Sequence, residues 1–408
     1  MKEANFKDTE IGKIPVDWEL FTLKEISSVT RLAGYEYSKY WKETVNGEII
    51  GLRGFNIGKN KIIQRDLVYI SDQLSKKLIR SRLFINDIIY PCVGTIGNAV
   101  VISENDKYHI QQNIAKITPN TQKINPFYLS HFLMSDFGIK EIERFNGSSS
   151  QPNILVGSLR QYNIFFPPLS EQEKIAEVLS DTDLWIESTE ALLAKKRQIK
   201  KGAMQKLLSP KDDWEVRKLG EMVSLAKSGG TPLSSNAKYY DGEIPFLSIS
   251  DMTEQGKYLT RTSKSVSQEG IDNSASWVVP INSIIYSMYA SVGFVSINKI
   301  EMATSQAVIN LIFKPEYDLN YMYYFLTSIQ IEVLQFVGEG TQKNLNAQTV
   351  KNLDIRIPKS LKTQQEIAEI LSSMDLEIES LENRLQKARQ LKQGMMQDLL
   401  TGKVRLVD

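Results

Sequence analysis

The apolar positions along the chain follow two rhythms. Residues 170–208 and 362–400 contain no proline and one glycine each, and they are rich in Glu, Lys, Gln, Ala and Leu, the residues most at ease in a helix. In the second stretch Leu371, Met374, Ile378, Leu381, Leu385, Ala388, Met395 and Leu399 recur at alternating spacings of three and four, interrupted only by Lys392. That spacing is a coiled-coil seam. The first stretch carries a broader stripe of Val178 and Leu179, Trp185 and Ile186, Leu192 and Leu193, then Ile199; Leu179, Ile186 and Leu193 are its expected seam positions. Pro167-Pro168 stops the segment before it, and Ser170, with Glu173 three residues on, is the expected N-cap. Elsewhere the pattern is β-branched and short. Residues 87–102 and 283–297 read as strand pairs around Gly-containing turns, 162–166 and 353–357 as strands, and 125–135 and 320–331 as short aromatic helices.

The same pattern occurs twice. Asp17-Trp18-Glu19 returns as Asp213-Trp214-Glu215, and Ile85-Asn86-Asp87-Ile88-Ile89-Tyr90 returns at the same offset as Ile281-Asn282-Ser283-Ile284-Ile285-Tyr286. Residues 172–208 align without gaps on 364–400, with Ile175/Ile367, Ala176/Ala368, Glu177/Glu369, Asp183/Asp375, Arg197/Arg389, Gly202/Gly394 and Met204/Met396 identical. The order is therefore domain, helix, domain, helix: 1–169, 170–208, 209–361 and 362–408. The expected fold class is mixed α/β (α+β), with two similar globular domains separated by two long helices and a pseudo-two-fold from internal duplication.

Charge fixes the expected pairing of the helices. Residues 171–190 are acidic apart from Lys174, and 195–206 are basic; 366–382 are acidic and 384–392 basic. Laid antiparallel, each acidic half faces a basic half, whereas a parallel arrangement sets like against like. Each polarity also suits the helix dipole. A helix of ~39 residues is ~58 Å long at 1.5 Å per residue. Two of them form an antiparallel coiled coil with the domains expected at opposite ends, one chain imitating a symmetric dimer.

Composition narrows the function mainly by exclusion. No apolar run approaches the ~18 residues of a membrane span. The N-terminal stretch is polar, so no secretory signal is expected, and Cys92, the sole cysteine, is expected to be a buried cytosolic thiol. His109 and His131 are the only histidines, and no phosphate loop, dinucleotide fingerprint or nucleophile elbow is present. No metal site and no catalytic residue is expected. The formal net charge is only +1, so nucleic-acid affinity has to come from local segregation.

The polar insertions supply it. Arg31, Tyr35, Lys39, Tyr40 and Lys42 interleave basic and aromatic side chains, and Arg53, Lys59 and Lys61 follow. In the second domain Lys227, Ser228, Thr231, Ser234, Ser235, Lys238, Tyr239 and Tyr240 form the corresponding segment. Ser148, Ser149, Gln151 and Asn153 match Thr341, Gln342, Lys343 and Asn344 in a Gly-rich turn. Lys and Arg hold phosphates, and Arg, Asn and Gln read base edges, although such segments also serve as ordinary surface loops and capped turns.

Taken together these residues resemble the specificity subunits of type I restriction–modification systems, over essentially the whole chain. The most specific part is Pro167-Pro168-Leu169-Ser170-Glu171-Gln172-Glu173-Lys174-Ile175-Ala176, supported by Ser228-Gly229-Gly230-Thr231-Pro232, the 148–153 turn and the closing Leu399-Leu400-Thr401-Gly402-Lys403-Val404. The second helix start, Pro358-Lys359-Ser360-Leu361, lacks the second proline and the Ser-Glu pair. The resemblance implies two target-recognition domains reading the halves of a split double-stranded DNA site. It also implies a coiled coil that sets the unread gap and binds two methyltransferase subunits. S-adenosylmethionine belongs to those subunits, and ATP and Mg to a separate restriction subunit, so this chain would bind no cofactor, do no chemistry and work in the cytoplasm. Two other classes remain open at the level of the residues. A coiled-coil scaffold with two ligand-binding heads shows no salt-dependent DNA affinity. A lone nuclease or methyltransferase is active with metal or S-adenosylmethionine alone.

Overall fold

The computed structural model describes residues 5–9, 12–146, 153–336 and 345–407. The chain separates into two compact units, one built from Met1–Ala191 with Asn383–Asp408 and the other from Leu192–Glu382.

In the first unit an antiparallel sheet runs in the order Ser27–Arg31, Ile114–Pro119, Ile88–Pro91, Val100–Val101. A second sheet pairs Ile49–Leu52 with Val68–Ile70 on one side and, in parallel, with Tyr108–Ile110 on the other. Glu19–Thr22 pairs with Asn163–Phe166, the strand that leads into the long helix Leu169–Leu207. The second unit repeats the plan. Val223–Ser228, Val308–Phe313, Ile284–Ser287, Val295–Asn298 and Tyr258–Leu259 form one sheet, and Lys264–Val266, Tyr240–Leu247, Met302–Thr304 and Val278–Val279 another. Glu215–Lys218 pairs with Asp354–Ile357 ahead of the long helix Leu361–Leu399.

The repeated motifs have physical reasons. Trp18 and Trp214 are buried, Trp18 against Phe165 and Trp214 edge-on to Tyr321. Asn86 and Asn282 both take positive φ, 72° and 60°, just before a buried strand; asparagine tolerates that region better than most residues. Pro126–Leu133 occupies the expected helix 125–135 and is followed, after the Ser135 cap, by Asp136–Phe145, whereas the expected helix 320–331 is broken at Ile329 into Leu319–Ser328 and Gln330–Phe336.

The long helices begin one residue earlier than expected. Gln172 N–H donates to the carbonyl of Pro168, so Ser170 lies inside the first turn and is not the N-cap. Instead a buried glutamine ties each helix start to its domain. Gln172 donates through Nε2 to Pro167 O at 2.9 Å and accepts the Asn125 N–H at 2.8 Å. Gln364 does the same with Pro358 O at 3.0 Å and Asp318 N–H at 2.9 Å. The glutamine tie therefore survives without the second proline and the Ser-Glu pair, although Glu171 of that pair also binds Arg405 at the first junction.

Within each unit the helix segments run antiparallel. In the first, Arg389 reaches Glu190 at 2.7 Å and Lys392 pairs with Asp183. In the second, Arg197 reaches Glu382 at 2.6 Å, Lys196 reaches Glu377 at 2.6 Å and Lys200 pairs with Asp375. Leu371, Leu381, Leu385, Ala388 and Leu399 are buried, and Met374 and Ile378 half-buried, as the seam requires. On the first helix Leu179, Ile186 and Leu193 keep to the seam, joined by Thr182 and Thr189. The broader stripe does not hold: Trp185, Leu192 and Ile199 stay 40%, 42% and 46% exposed, one position off the three–four repeat and so turned away from the partner helix.

Candidate nucleic-acid interface

The site is built at one edge of each unit, where four pieces of backbone converge. In the first unit, strand Ser27–Arg31 ends at Arg31, opposite Ala115. Beyond it, Cys92 N–H donates to Asn113 O at 2.7 Å, and Ile154 N–H donates to Cys92 O at 2.9 Å. Val93 bridges Asn153. Arg31, the 92–95 loop, the 111–113 corner and Asn153–Leu155 therefore share one edge. In the second unit, Gly230 N–H donates to Thr304 O, Met288 N–H to Ala307 O and Leu345 N–H to Met288 O, each at 2.9 Å. The strand ending at Ser228, the 288–293 loop, the 305–307 corner and residue 345 meet in the same way. Ser148, Ser149, Gln151, Thr341, Gln342, Lys343 and Asn344 lie outside the described residues.

The sequence candidates distribute unevenly over this frame. Helix Gly34–Tyr40 starts where the Glu36 carboxylate accepts the Ala33 N–H at 3.1 Å. Tyr35, Lys39 and Lys42 face solvent, while Tyr40 is half-buried with Lys77 3.9 Å above its ring. Tyr37 and Trp41 stack at 5.6 Å and Trp41 tilts onto His109, so those two rings pack the helix down. Arg53 lies over Phe55 and donates to Asp66 O, and neighbouring Gly54 O accepts Thr95 Oγ1 at 2.9 Å, which brings this segment to the 92–95 loop. Lys59 and Lys61 go elsewhere. Lys61 pairs with Glu190 of the long helix at 3.3 Å, and Lys59 lines a cavity of about 940 Å³ with Asp183, Arg389 and Lys392.

In the second unit Lys227 is exposed 5.2 Å from the Trp277 ring, and Ser228 O accepts Trp277 Nε1–H at 3.1 Å. Thr231 Oγ1 donates to Gln306 at 2.7 Å. Ser234, Ser235 and Lys238 are exposed beside a turn that Asn236 caps. Tyr239 is half-buried, and Tyr240 spends its hydroxyl on Pro232 O at 2.6 Å. Gly229 and Gly230 are required for packing: a Cβ on Gly229 would sit 2.0 Å from Thr304 O, and one on Gly230 2.5 Å from the Ala275 carbonyl carbon.

Burial pushes the Cys92 thiol up to about 11, where almost no thiolate exists at neutral pH. Among the described residues no group of three or more His, Cys, Asp or Glu is placed to hold a metal ion. What the edges offer is exposed Lys, Arg, Ser and amide groups on a rigid sheet, the chemistry of phosphate and base-edge contact. Sequence reasoning missed Arg80, Ser158 and Arg160 near Arg31, because the fold alone brings them there.

Comparison with known proteins decides what this duplicated edge belongs to. The family model for the type I restriction modification DNA specificity domain matches residues 15–197 and again 211–390. The chain belongs to the type I DNA specificity family. A protein of Methanocaldococcus jannaschii assigned as the type I restriction enzyme MjaX specificity subunit is 28% identical, with 99% of this chain and 98% of that one covered. The type I restriction enzyme HindI specificity subunit of Haemophilus influenzae is 29% identical over 36% of this chain and 32% of its own length. Among solved structures, the type I restriction-modification S subunit from M. genitalium superposes with a TM-score of 0.62, covering 98% of this chain and 97% of that one. A chain from a structure of type I R-M complex assembly and conformational transition gives 0.58, covering 96% and 99%. Both are 16% identical and bear on the fold, which this type I specificity chain shares.

Proposed function

We propose that the chain is the address-reading subunit of a type I restriction–modification enzyme. Each unit reads one half of a split double-stranded DNA site through the edge described above. The carrying observation is that the same backbone edge is built twice, once per specificity domain, and lined by different side chains. Arg31 lies where strand register places Ser228, and Thr30 where it places Lys227. A shared frame with divergent contacts is what two unlike half-sites in inverted orientation require. Two methyltransferase subunits dock on the long helices, where exposed Trp185, Leu192, Ile199, Leu376 and Leu391 offer apolar anchors, and restriction subunits join that assembly. S-adenosylmethionine serves the methyltransferase, ATP and Mg serve the restriction subunit, and this chain binds none of them. Among the described residues no helix is long and apolar enough to cross a membrane; the chain acts in the cytoplasm, where its DNA is.

The test is modified-base sequencing of a host genome expressing the partner methyltransferase with and without this chain. A split motif of methylated adenines is expected only with the chain, and replacing residues 209–361 by those of another family member should change one half of it. An unchanged set of methylated adenines overturns the proposal.

A further inference from the structure

The first unit holds a cleft of about 560 Å³ lined by Thr30, Arg31, Ala33, Arg80, residues 155–158 and Arg160. Three guanidinium groups and no carboxylate line it. Arg31 makes no ion pair among the described residues. Arg160 donates to Val29 O at 2.6 Å and is otherwise exposed. The Arg80 guanidinium has one partner among the described residues, Glu36, at 3.4 Å, with the arginine side chain 59% exposed; a contact of that kind is weak and readily exchanged. The Ser158 hydroxyl has no hydrogen-bond partner among the described residues, and Gly157 leaves open space where a side chain would stand.

The same places in the second unit are filled differently. Arg31 faces Ala115 and Ser228 faces Ile309, the matching strand positions. Arg82 bridges His109 as Val278 pairs with Ala303, which sets Arg80 against Ser276. Leu23 N–H donates to Tyr162 O as Leu219 N–H does to Leu353 O, which sets Arg160 against Lys351. Three arginines in one unit answer to two serines and a lysine in the other.

We infer that Arg31, Arg80 and Arg160 form a clamp for DNA phosphates, and that the two halves of the site are therefore held by unequal electrostatic grips, the first unit supplying the larger share of salt-dependent affinity. The inference rests on the DNA-reading proposal. Arginine forks suit phosphate oxygens better than any other side chain. Each phosphate neutralised by the protein adds about 0.9 to the slope of log K against log salt. The second unit offers Lys351 at these positions and Lys227 where the first has Thr30, two lysines against three arginines. The bases are read elsewhere, so loss of the clamp weakens all sequences alike.

The experiment measures binding of the full chain, with its partner methyltransferase, to duplexes carrying the methylated motif and to random duplexes, over a series of salt concentrations. Arg31→Gln and Arg160→Gln are each expected to lower the slope by about 0.9 and to weaken both duplexes by the same factor. Arg160→Lys should retain the slope, which separates a phosphate contact from a folding defect. Lys351→Gln should lower the slope no more than either arginine change alone, and Lys13→Gln, on the exposed N-terminal hairpin, should leave it unchanged. If the wild-type complex binds but the arginine variants keep its slope, the clamp is overturned and the DNA-reading proposal stands. If the variants lose preference for the motif without a change of slope, these arginines read bases and the clamp is again overturned. If the wild-type complex shows no salt-dependent binding, both fall.

Discussion

His109 and His131 lie in the first unit, both buried, His109 near the charges of Arg82 and Lys116 and His131 4.0 Å from the Asp183 carboxylate. Burial holds each down to about 4, with the charge of Arg82 adding to the effect on His109 and that of Lys392 on His131. In the unfolded chain both titrate near 6.5. Between those values the unfolded state binds more protons than the folded one, so stability rises with pH across that window. The contribution is complete above about pH 6.5 and is lost as pH falls toward 4. Thermal melts of the full chain should therefore show a midpoint that drops between pH 7 and pH 4.5, and the double variant His109→Gln/His131→Asn should flatten that acid limb. An unaltered limb in the variant would assign acid sensitivity to other groups. Individual site residues were only partly legible in the sequence. Arg31 and Lys227 stood out because each opens a polar insertion beside a strand. Arg80 and Arg160 did not: Arg80 shares its run with Lys76, Lys77 and Arg82, which does not single it out, Arg160 sits in no basic run, and only strand and helix packing places the two near Arg31. Lys59 and Lys61 looked equivalent to Arg31 by composition, yet Glu190 draws Lys61 to the long helix.

At the scale of elements, the long helices were the most legible part of the chain, because spacing and charge polarity point the same way over many residues. The side chain of Thr182 or Thr189 carries no such signal, and the apolar neighbours Trp185 and Leu192 pulled the expected stripe off its true face. The end of the second long helix is held by the tail that follows it. Gly402 takes φ +68° with Pro15 and Trp18 so close that a Cβ would stand 2.3 Å from Pro15 Cγ. Arg405 then binds Glu171 and Asp17, each through contacts as short as 2.7 Å, with the Glu171 side chain fully buried. These hydrogen bonds hold the Asp17 carboxyl below its usual range. Arg405→Ala leaves a buried carboxylate unpaired, a change that costs about 3–5 kcal/mol when an ion pair is broken from one side. Denaturant titration of the full chain should show a loss of that order. A loss under about 1 kcal/mol would mean that Leu406 N–H and water satisfy Glu171 without the guanidinium.

For the whole molecule, a formal net charge of +1 conceals a strict local order, with acidic helix halves facing basic ones and unbalanced arginines at a single cleft. On the proposed reading the long helices also set the unread gap between half-sites. Deleting one heptad, ~10 Å of helix, from both should shorten that gap by roughly three base pairs at ~3.4 Å each. Mapping the methylated motif checks this, and an unchanged gap would remove the helices from that role. The duplication was plain in the sequence, but the way the chain is divided was not. The second unit is one unbroken stretch, Leu192–Glu382, whereas the first needs Asn383–Asp408 to complete it. During synthesis, the ribosome therefore releases all of the second unit before the residues that finish the first. Leu399 and Leu400 belong to the first unit's core, so that core, begun earlier, waits with an uncovered flank for the final segment. The half of the molecule begun first is thus the half whose core is completed last, with apolar surface open to chaperones while the message is still being read.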